Sequence, residues 1–422
     1  MQTQYRLQGA SSWLDTANNQ FVVPAADNDG SHTYEYRALD NAGNVTQGSC
    51  TINIDTTPPV TTATNLASDA TSGWVNSDQT VTLSADDGSG SGVKEITYTV
   101  DGGAAQTYSA PFTVSGAGSH TVTYFATDNA GNVEATQTGY VNIATEAPTT
   151  TATGLAPDAT SGWVKSDQTV TLTAMGGTGT ATITYTVDGG DPQTYSEPFT
   201  VSGDGSHEVT YYATDAIGNV EQPAKIGYVN IDTTPPMVSS DADDQWHAGP
   251  VVINLTPSDA GPSGVTGTSG VAHTYYRVNS GDWQEGTAAT VGARRKGSPD
   301  GYNTLSYYAV DAAGNVGEVQ TCMVKIDTTP PFTWTDAPLA LSADKMAFVP
   351  VPQTGDVTVN LYALDSLSGV NSSFWRLDGG DWQQGTTLVV PGTEPGIHSI
   401  EYFSVDNLGN VEVIRSVFVV IQ

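Results

Sequence analysis

The residues of this 422-residue chain best suited to chemistry are aspartates that return in fixed settings. Asp55, Asp232 and Asp327 each lie in an Ile-Asp-Thr-Thr-Pro-Pro string. Asp87, Asp259 and Asp365 precede Ser-Gly-Val turns, and Asp128, Asp311 and Asp406 open Asp-x-x-Gly-Asn turns. Carboxylates are hard oxygen donors, and three of them with neighbouring carbonyls suit calcium. The alternative is that each aspartate only caps its own turn through backbone amides. One interval departs from the pattern. Before the turn opened by Asp215 the chain reads Met175-Gly176-Gly177-Thr178 and its linker has Ala144, so both partner carboxylates are missing.

The elements that must position these residues are strands. Tyr124–Val133 pairs an alternating stretch with a tight turn and recurs at Tyr36–Val45, Tyr211–Val220, Tyr307–Val316 and Tyr402–Val411. Alternation turns Val122, Tyr124 and Ala126 to one sheet face, and Gly131 tolerates a positive φ. Such a unit cannot bury its apolar face alone, so five copies imply five similar domains. Their spacing of 87 to 96 residues suits sandwich-sized domains. The boundaries fall at 1–59, 60–148, 149–236, 237–331 and 332–422. Paired prolines fix φ and remove amide donors, so each last strand stops there and the joints are stiff; a jointed rod is the expectation. The joint Ile143-Ala144-Thr145-Glu146-Ala147-Pro148 departs from the string and is expected to have more play. A full repeat reads as seven short strands, with Trp74 and Trp163 plugging the core end. The first repeat has only Met1–Gln4 ahead of Tyr5-Arg6-Leu7, so its first strands are missing.

Composition narrows the function. Thr, Ser, Gly, Val and Tyr dominate without helical spacing, which makes the chain all-β. Acids outnumber bases 45 to 13, for a formal charge of −32. That balance opposes nucleic acid and anionic membranes and favours cations. The Arg294-Arg295-Lys296 run is expected to be a solvated turn rather than a polyanion site, with an acidic neighbour as its alternative partner. Cys50 and Cys322 occupy equivalent places in separate repeats and are expected to be buried free thiols. There is no apolar run of membrane-spanning length and no signal peptide, so any export signal or anchor is expected outside these residues.

Together "Gly-Trp", "Asp…Ser-Gly-Val", "Val-Asp-Gly-Gly", "Tyr-x-Ala-x-Asp-x-x-Gly-Asn" and "Asp-Thr-Thr-Pro-Pro" resemble bacterial immunoglobulin-like and fibronectin type III-like repeats of cell-surface proteins. The resemblance implies a tandem array of β-sandwich domains, the first one incomplete. It places the linker, the second-to-third strand turn and the tetrad turn at one end of a domain, which would gather each aspartate trio. His32, His120, His207 and His398, four residues before the tetrad Tyr, fall where related sandwiches place a structural corner. Trp13, Trp283 and Trp382 follow hairpin turns; they either stack on sugar rings or cover the sandwich edge. The implied function is a non-enzymatic extracellular or cell-surface rod: stalk, adhesin or filament subunit. Its partners are neighbouring copies or domains of the same protein, and head-to-tail assembly through the incomplete domain is one mechanism. The alternative is a set of accessory modules that bind a surface glycan for a secreted carbohydrate-active protein. No nucleophile elbow, phosphate loop or metalloprotease motif is present, and no cofactor beyond calcium is implied.

Overall fold

Period-two alternation with Thr, Val and Tyr dictates strands, and strands account for all the regular secondary structure among the described residues. The computed structural model describes residues 1–23, 29–261, 267–292, 300–342 and 347–422. The Arg294-Arg295-Lys296 run lies outside them. The chain forms two compact units. One comprises Met1–Thr153, Thr171–Pro198 and Val209–Ile226; the other comprises Gly154–Val170, Phe199–Glu208 and Gly227–Gln422.

In the first unit, β1 (Gln2–Leu7), β2 (Leu14–Asp15), β3 (Gly30–Leu39) and β4 (Val45–Ile54) form one antiparallel sheet in the order β2-β1-β3-β4. No second sheet covers it among the described residues. Phe21 stacks on Tyr5 at 4.3 Å between centroids, while Leu7 and Tyr36 remain 43% and 46% exposed. The second repeat is complete. Its β5 (Val60–Thr64), β7 (Gln79–Asp86) and β10 (Phe112–Val114) form one sheet. The other contains β6 (Trp74–Val75), β8 (Val93–Val100), β9 (Gln106–Thr107), β11 (Gly118–Asp128) and β12 (Gln137–Ile143) in the order β6-β12-β11-β8-β9. Three strands facing a sheet built on β8, β11 and β12 is the immunoglobulin-like sandwich. Val81, Leu83, Val122, Ala126, Val141 and Ile143 fill its interior, with Tyr124 packed against them. Val75 also packs against this core, whereas Trp74 is half-buried and donates its indole N–H to Thr71 O. The expected Trp plug is therefore a short strand, paired parallel to β12, whose Val does the packing.

The second unit repeats the plan. In the fourth repeat, Met237–Ser240, Val251–Ser258 and Ala288–Val291 form one sheet. The facing sheet is built on Val271–Val278, Gly301–Asp311 and Gln320–Ile326. The fifth repeat pairs Phe332–Thr335, Val357–Leu364 and Thr387–Val390, and faces them with a sheet of Val370–Leu377, Gly396–Asp406 and Arg415–Ile421. Each has its own buried cluster, around Leu305 and Ile326 in the fourth and around Val359 and Ile400 in the fifth. Cys50 and Cys322 are free and only half-buried. Burial of Cys322 raises its thiol pKa, which keeps it protonated and unreactive.

Candidate metal centre

Each tetrad aspartate is fixed by the turn it opens. Asp128 Oδ1 accepts Gly131 N and Asn132 N at 2.6 and 2.8 Å, and its Oδ2 accepts Asn132 Nδ2 at 2.7 Å. Asp311 and Asp406 hold Asn315 and Asn410 in the same way. All three carboxylates are buried. For Asp128, burial is the largest single influence and pushes the pKa up, but the Asn132 side chain and the turn amides outweigh it and leave it lowered.

The linker aspartate then arrives beside this turn. Asp55 Oδ2 accepts Ser91 N at 2.6 Å, Asp232 Oδ2 accepts Ser269 N at 2.8 Å, and Asp327 Oδ2 accepts Ser368 N at 3.0 Å. A second clip comes from the last residue of the Gly-Asn pair. Asn132, Asn315 and Asn410 each donate a side-chain N–H to the backbone oxygen of Asp55, Asp232 or Asp327. The third carboxylate caps its own loop, with Asp87 Oδ2 accepting Gly92 N and Asp259 Oδ2 accepting Gly270 N.

These contacts bring together Asp55, Asp87 and Asp128; Asp232, Asp259 and Asp311; and Asp327, Asp365 and Asp406. In each trio one oxygen per residue lies within 4.8 Å of the others. Two carboxylates at that separation repel by roughly 3 kcal/mol at an effective dielectric of about 20. Burial and then the charge of Asp232 raise the pKa of Asp259. Asp87 Oδ1 and Asp259 Oδ1 are buried with no hydrogen-bond partner. A Cβ at Gly90 would stand 2.5 Å from Asp87 Oδ2 and 2.8 Å from Asp55 Oδ2, so only glycine lets the loop close over that pair. Oxygen-only donors, unpaired lone pairs and uncompensated negative charge fit a hard divalent cation of calcium type. Turn capping and cation ligation are therefore not alternatives: one oxygen of Asp87 and of Asp259 caps the loop and the other is left over.

The remaining sequence candidates have other partners. His120 Nδ1 contacts Asp101 Oδ2 at 2.7 Å and Nε2 contacts Gly116 O at 2.9 Å; His398 makes the same pair with Asp378 and Glu394 O. Both partners of each ring are acceptors, so the clasp calls for a doubly protonated imidazolium. Hydrogen bonding to the partner carboxylate, then to the carbonyl, raises both histidine pKa values. His207 Nε2 donates to Gly203 O, and His32 lies half-buried on β3. Trp13 lies under the guanidinium groups of Arg6 and Arg37, Trp283 under Arg277 and Trp382 under Arg376, at 4.2 to 4.7 Å. One face of each indole is thus covered by a cation rather than open.

Sequence reasoning missed a buried glutamate immediately after the Gly-Asn-Val of the second, third and fifth repeats. Glu134 accepts Thr61 N, Thr61 Oγ1 and Ala126 N, and Glu221 does the same with Thr150 and Ala213. Glu412 accepts Thr333 N. The shared Asn-Val-Glu spelling was the available signal. The fourth repeat has Gly317 there, and a Cβ would lie 2.3 Å from Pro236 O.

A sequence model of the chitobiase/beta-hexosaminidase C-terminal domain matches residues 70–138 and 159–225. No curated protein sequence matches the chain. Among solved structures, one similar chain is described as a Ca2+-stabilized adhesin that helps an Antarctic bacterium reach out and bind ice. It is 19% identical, with 87% of this chain and 99% of that one covered and a TM-score of 0.30. The fibronectin(III)-like modules of Clostridium thermocellum CbhA are 16% identical over 44% of this chain and 94% of theirs, at 0.21. A tetra-tandem repeat from the extending region of a large adhesion protein is 16% identical over 93% and 95%, at 0.29. The class is that of all-β, tandem immunoglobulin-like sandwiches.

Proposed function

We propose that this chain is a non-catalytic, tandem-repeat segment of a bacterial cell-surface protein, with calcium bound where each linker enters the second, fourth and fifth repeats. The observation that carries this reading is the convergence of three carboxylates from three separate segments, found three times. A cation there ties the linker, the Ser-Gly loop and the tetrad turn into one body, which suits a spacer more than a catalyst. No helix among the described residues is long and apolar enough to cross a bilayer. The repeats' domain boundaries and proline joints belong to the same proposal. A calcium chelator should lower the melting temperature of the full chain, and calcium, but not sodium, should restore it. At a hundredfold excess over Kd, one bound ion adds about 2.7 kcal/mol. An unchanged melt would remove the reading.

Two observations favour narrower readings. The open sheet of the first repeat, with Leu7 and Tyr36 exposed, favours its being covered by a segment of another copy or domain. Concentration-dependent sedimentation tests this. The match to the C-terminal domain of chitobiase/beta-hexosaminidase supports the alternative of accessory modules in a secreted carbohydrate-active protein.

A further inference from the structure

The fifth repeat carries a strip of aromatic side chains that the other repeats lack at the same positions. Its strands Phe332–Thr335 and Val357–Leu364 pair with Phe332 opposite Leu364 and Trp334 opposite Tyr362. Thr333, Val359 and Leu361 take the buried face, so the pleat turns Phe332, Trp334, Tyr362 and Leu364 outward. They are 53%, 43%, 45% and 61% exposed. The corresponding positions hold Val60, Thr62, Ser84 and Asp86 in the second repeat, and Thr149, Thr151, Thr173 and Met175 in the third. The fourth has Met237, Ser239, Thr256 and Ser258. At the Trp334 and Tyr362 positions small polar residues therefore serve the fold, and those two rings add nothing to the core beneath them.

The rings are held in a row. Trp334 and Tyr362 stack at 5.8 Å with 21° between planes, and Phe332 follows Trp334 at 6.1 Å and 30°. Tyr362 donates its hydroxyl to Asp336, whose carboxylate also takes the backbone and side-chain amides of Asn360. At the other end the Arg415 guanidinium covers Phe332 at 4.2 Å and is itself held by Glu412 at 2.5 Å. Rings fixed before binding lose little freedom on contact.

Charge selects the occupant. A chain of net charge −32 repels polyanions and anionic lipid. What fits is an uncharged partner that offers flat C–H faces to the rings and hydroxyls to the rim, where Thr358 and Thr387 are exposed. We propose that this strip binds a neutral polysaccharide, with sugar rings stacked along Trp334 and Tyr362.

The test mixes the full chain with suspended cellulose and with chitin and measures the unbound protein. Calcium is held constant, so failure of the metal reading leaves this result unmoved. The wild type should be depleted by at least one polymer. The double variant Trp334→Thr/Tyr362→Ser installs residue types that neighbouring repeats carry there. It should keep its melting temperature and bind about tenfold more weakly or worse. No depletion by either polymer, or equal depletion of the double variant, overturns the proposal. So does finding that the strip instead mediates self-association or binding to phosphatidylcholine vesicles, seen as either activity in the wild type and its loss in the double variant.

Discussion

The second and third repeats begin from nearly the same sequence and solve one problem in two ways. Both bury an aspartate at the tetrad turn, Asp128 in one and Asp215 in the other. Around Asp128 stand two more carboxylates and an unpaired oxygen on Asp87. Around Asp215 the linker offers only Ala144 O, which accepts Asn219 Nδ2, and the Gly176-Gly177 loop folds inward until Thr178 N reaches Asp215 Oδ2 at 2.9 Å. A Cβ on Gly177 would stand 2.9 Å from Asp215 Cβ, so backbone fills the space that carboxylates flank in the second repeat. A buried negative charge can be met by an ion or by amides. The third repeat uses amides, and its linker still keeps the asparagine clip.

This contrast can be broken experimentally, and the largest effect should come from the cation. Hydrogen exchange on the full chain should show 55–57, 87–92 and 128–132 losing protection on chelation, with 144–148, 176–178 and 215–219 unchanged. Equal loss in both repeats would mean that the two turns do not differ as described. Next in size is the glutamate latch common to both. Glu134→Ala leaves the buried Thr61 N–H without a partner and should cost about 2–3 kcal/mol in denaturant unfolding. Glu221→Ala should match it despite the absence of the acidic trio, because the latch does not depend on a cation. Gly177→Ala is smaller: at φ +74° against Asp215 it should destabilise the third repeat by about 1–2 kcal/mol, read as a shifted local melt.

The smallest effect is a pH dependence. The His120 pKa is raised and the Asp101 pKa lowered, each chiefly by their mutual hydrogen bond. A raised histidine pKa gives stability that is complete below 6.5 and lost as pH climbs through the folded value. A lowered aspartate pKa gives stability present above 3.8 and lost as pH falls. The clasp thus contributes most between those limits, and His120→Asn should flatten the profile above pH 6.5. The fourth repeat already has this arrangement, with Asn303 accepting Asn279 Nδ2 and no proton to lose.

Much of this could be read before any coordinates. The recurrent aspartates and the Gly-Asn turns are spelled by short-range rules, since a carboxylate capping amides two to four residues ahead leaves a local signature. The all-β class follows from alternation for the same reason. What stayed hidden depends on distant partners. Glu134 looks like any exposed acid until Thr61, seventy-three residues away, is folded against it. Ala144 and Gly177 show what is missing but not that backbone takes its place. For Trp13, Trp283 and Trp382 the sequence left sugar stacking and edge cover both open, because their covering arginines come from strand neighbours. Phe332 and Trp334 sit on alternate positions like any strand residues, and only the pairing with Tyr362 assembles the strip.

The central claim is that the carboxylate trios at three linker joints hold calcium. Native mass spectrometry of the full chain, stripped with chelator and titrated with calcium, tests it most directly. The account predicts three ions per chain from the three trios, and one fewer in Asp259→Asn with the fold intact. Absence of uptake, or uptake indifferent to substitution of these aspartates, would contradict it.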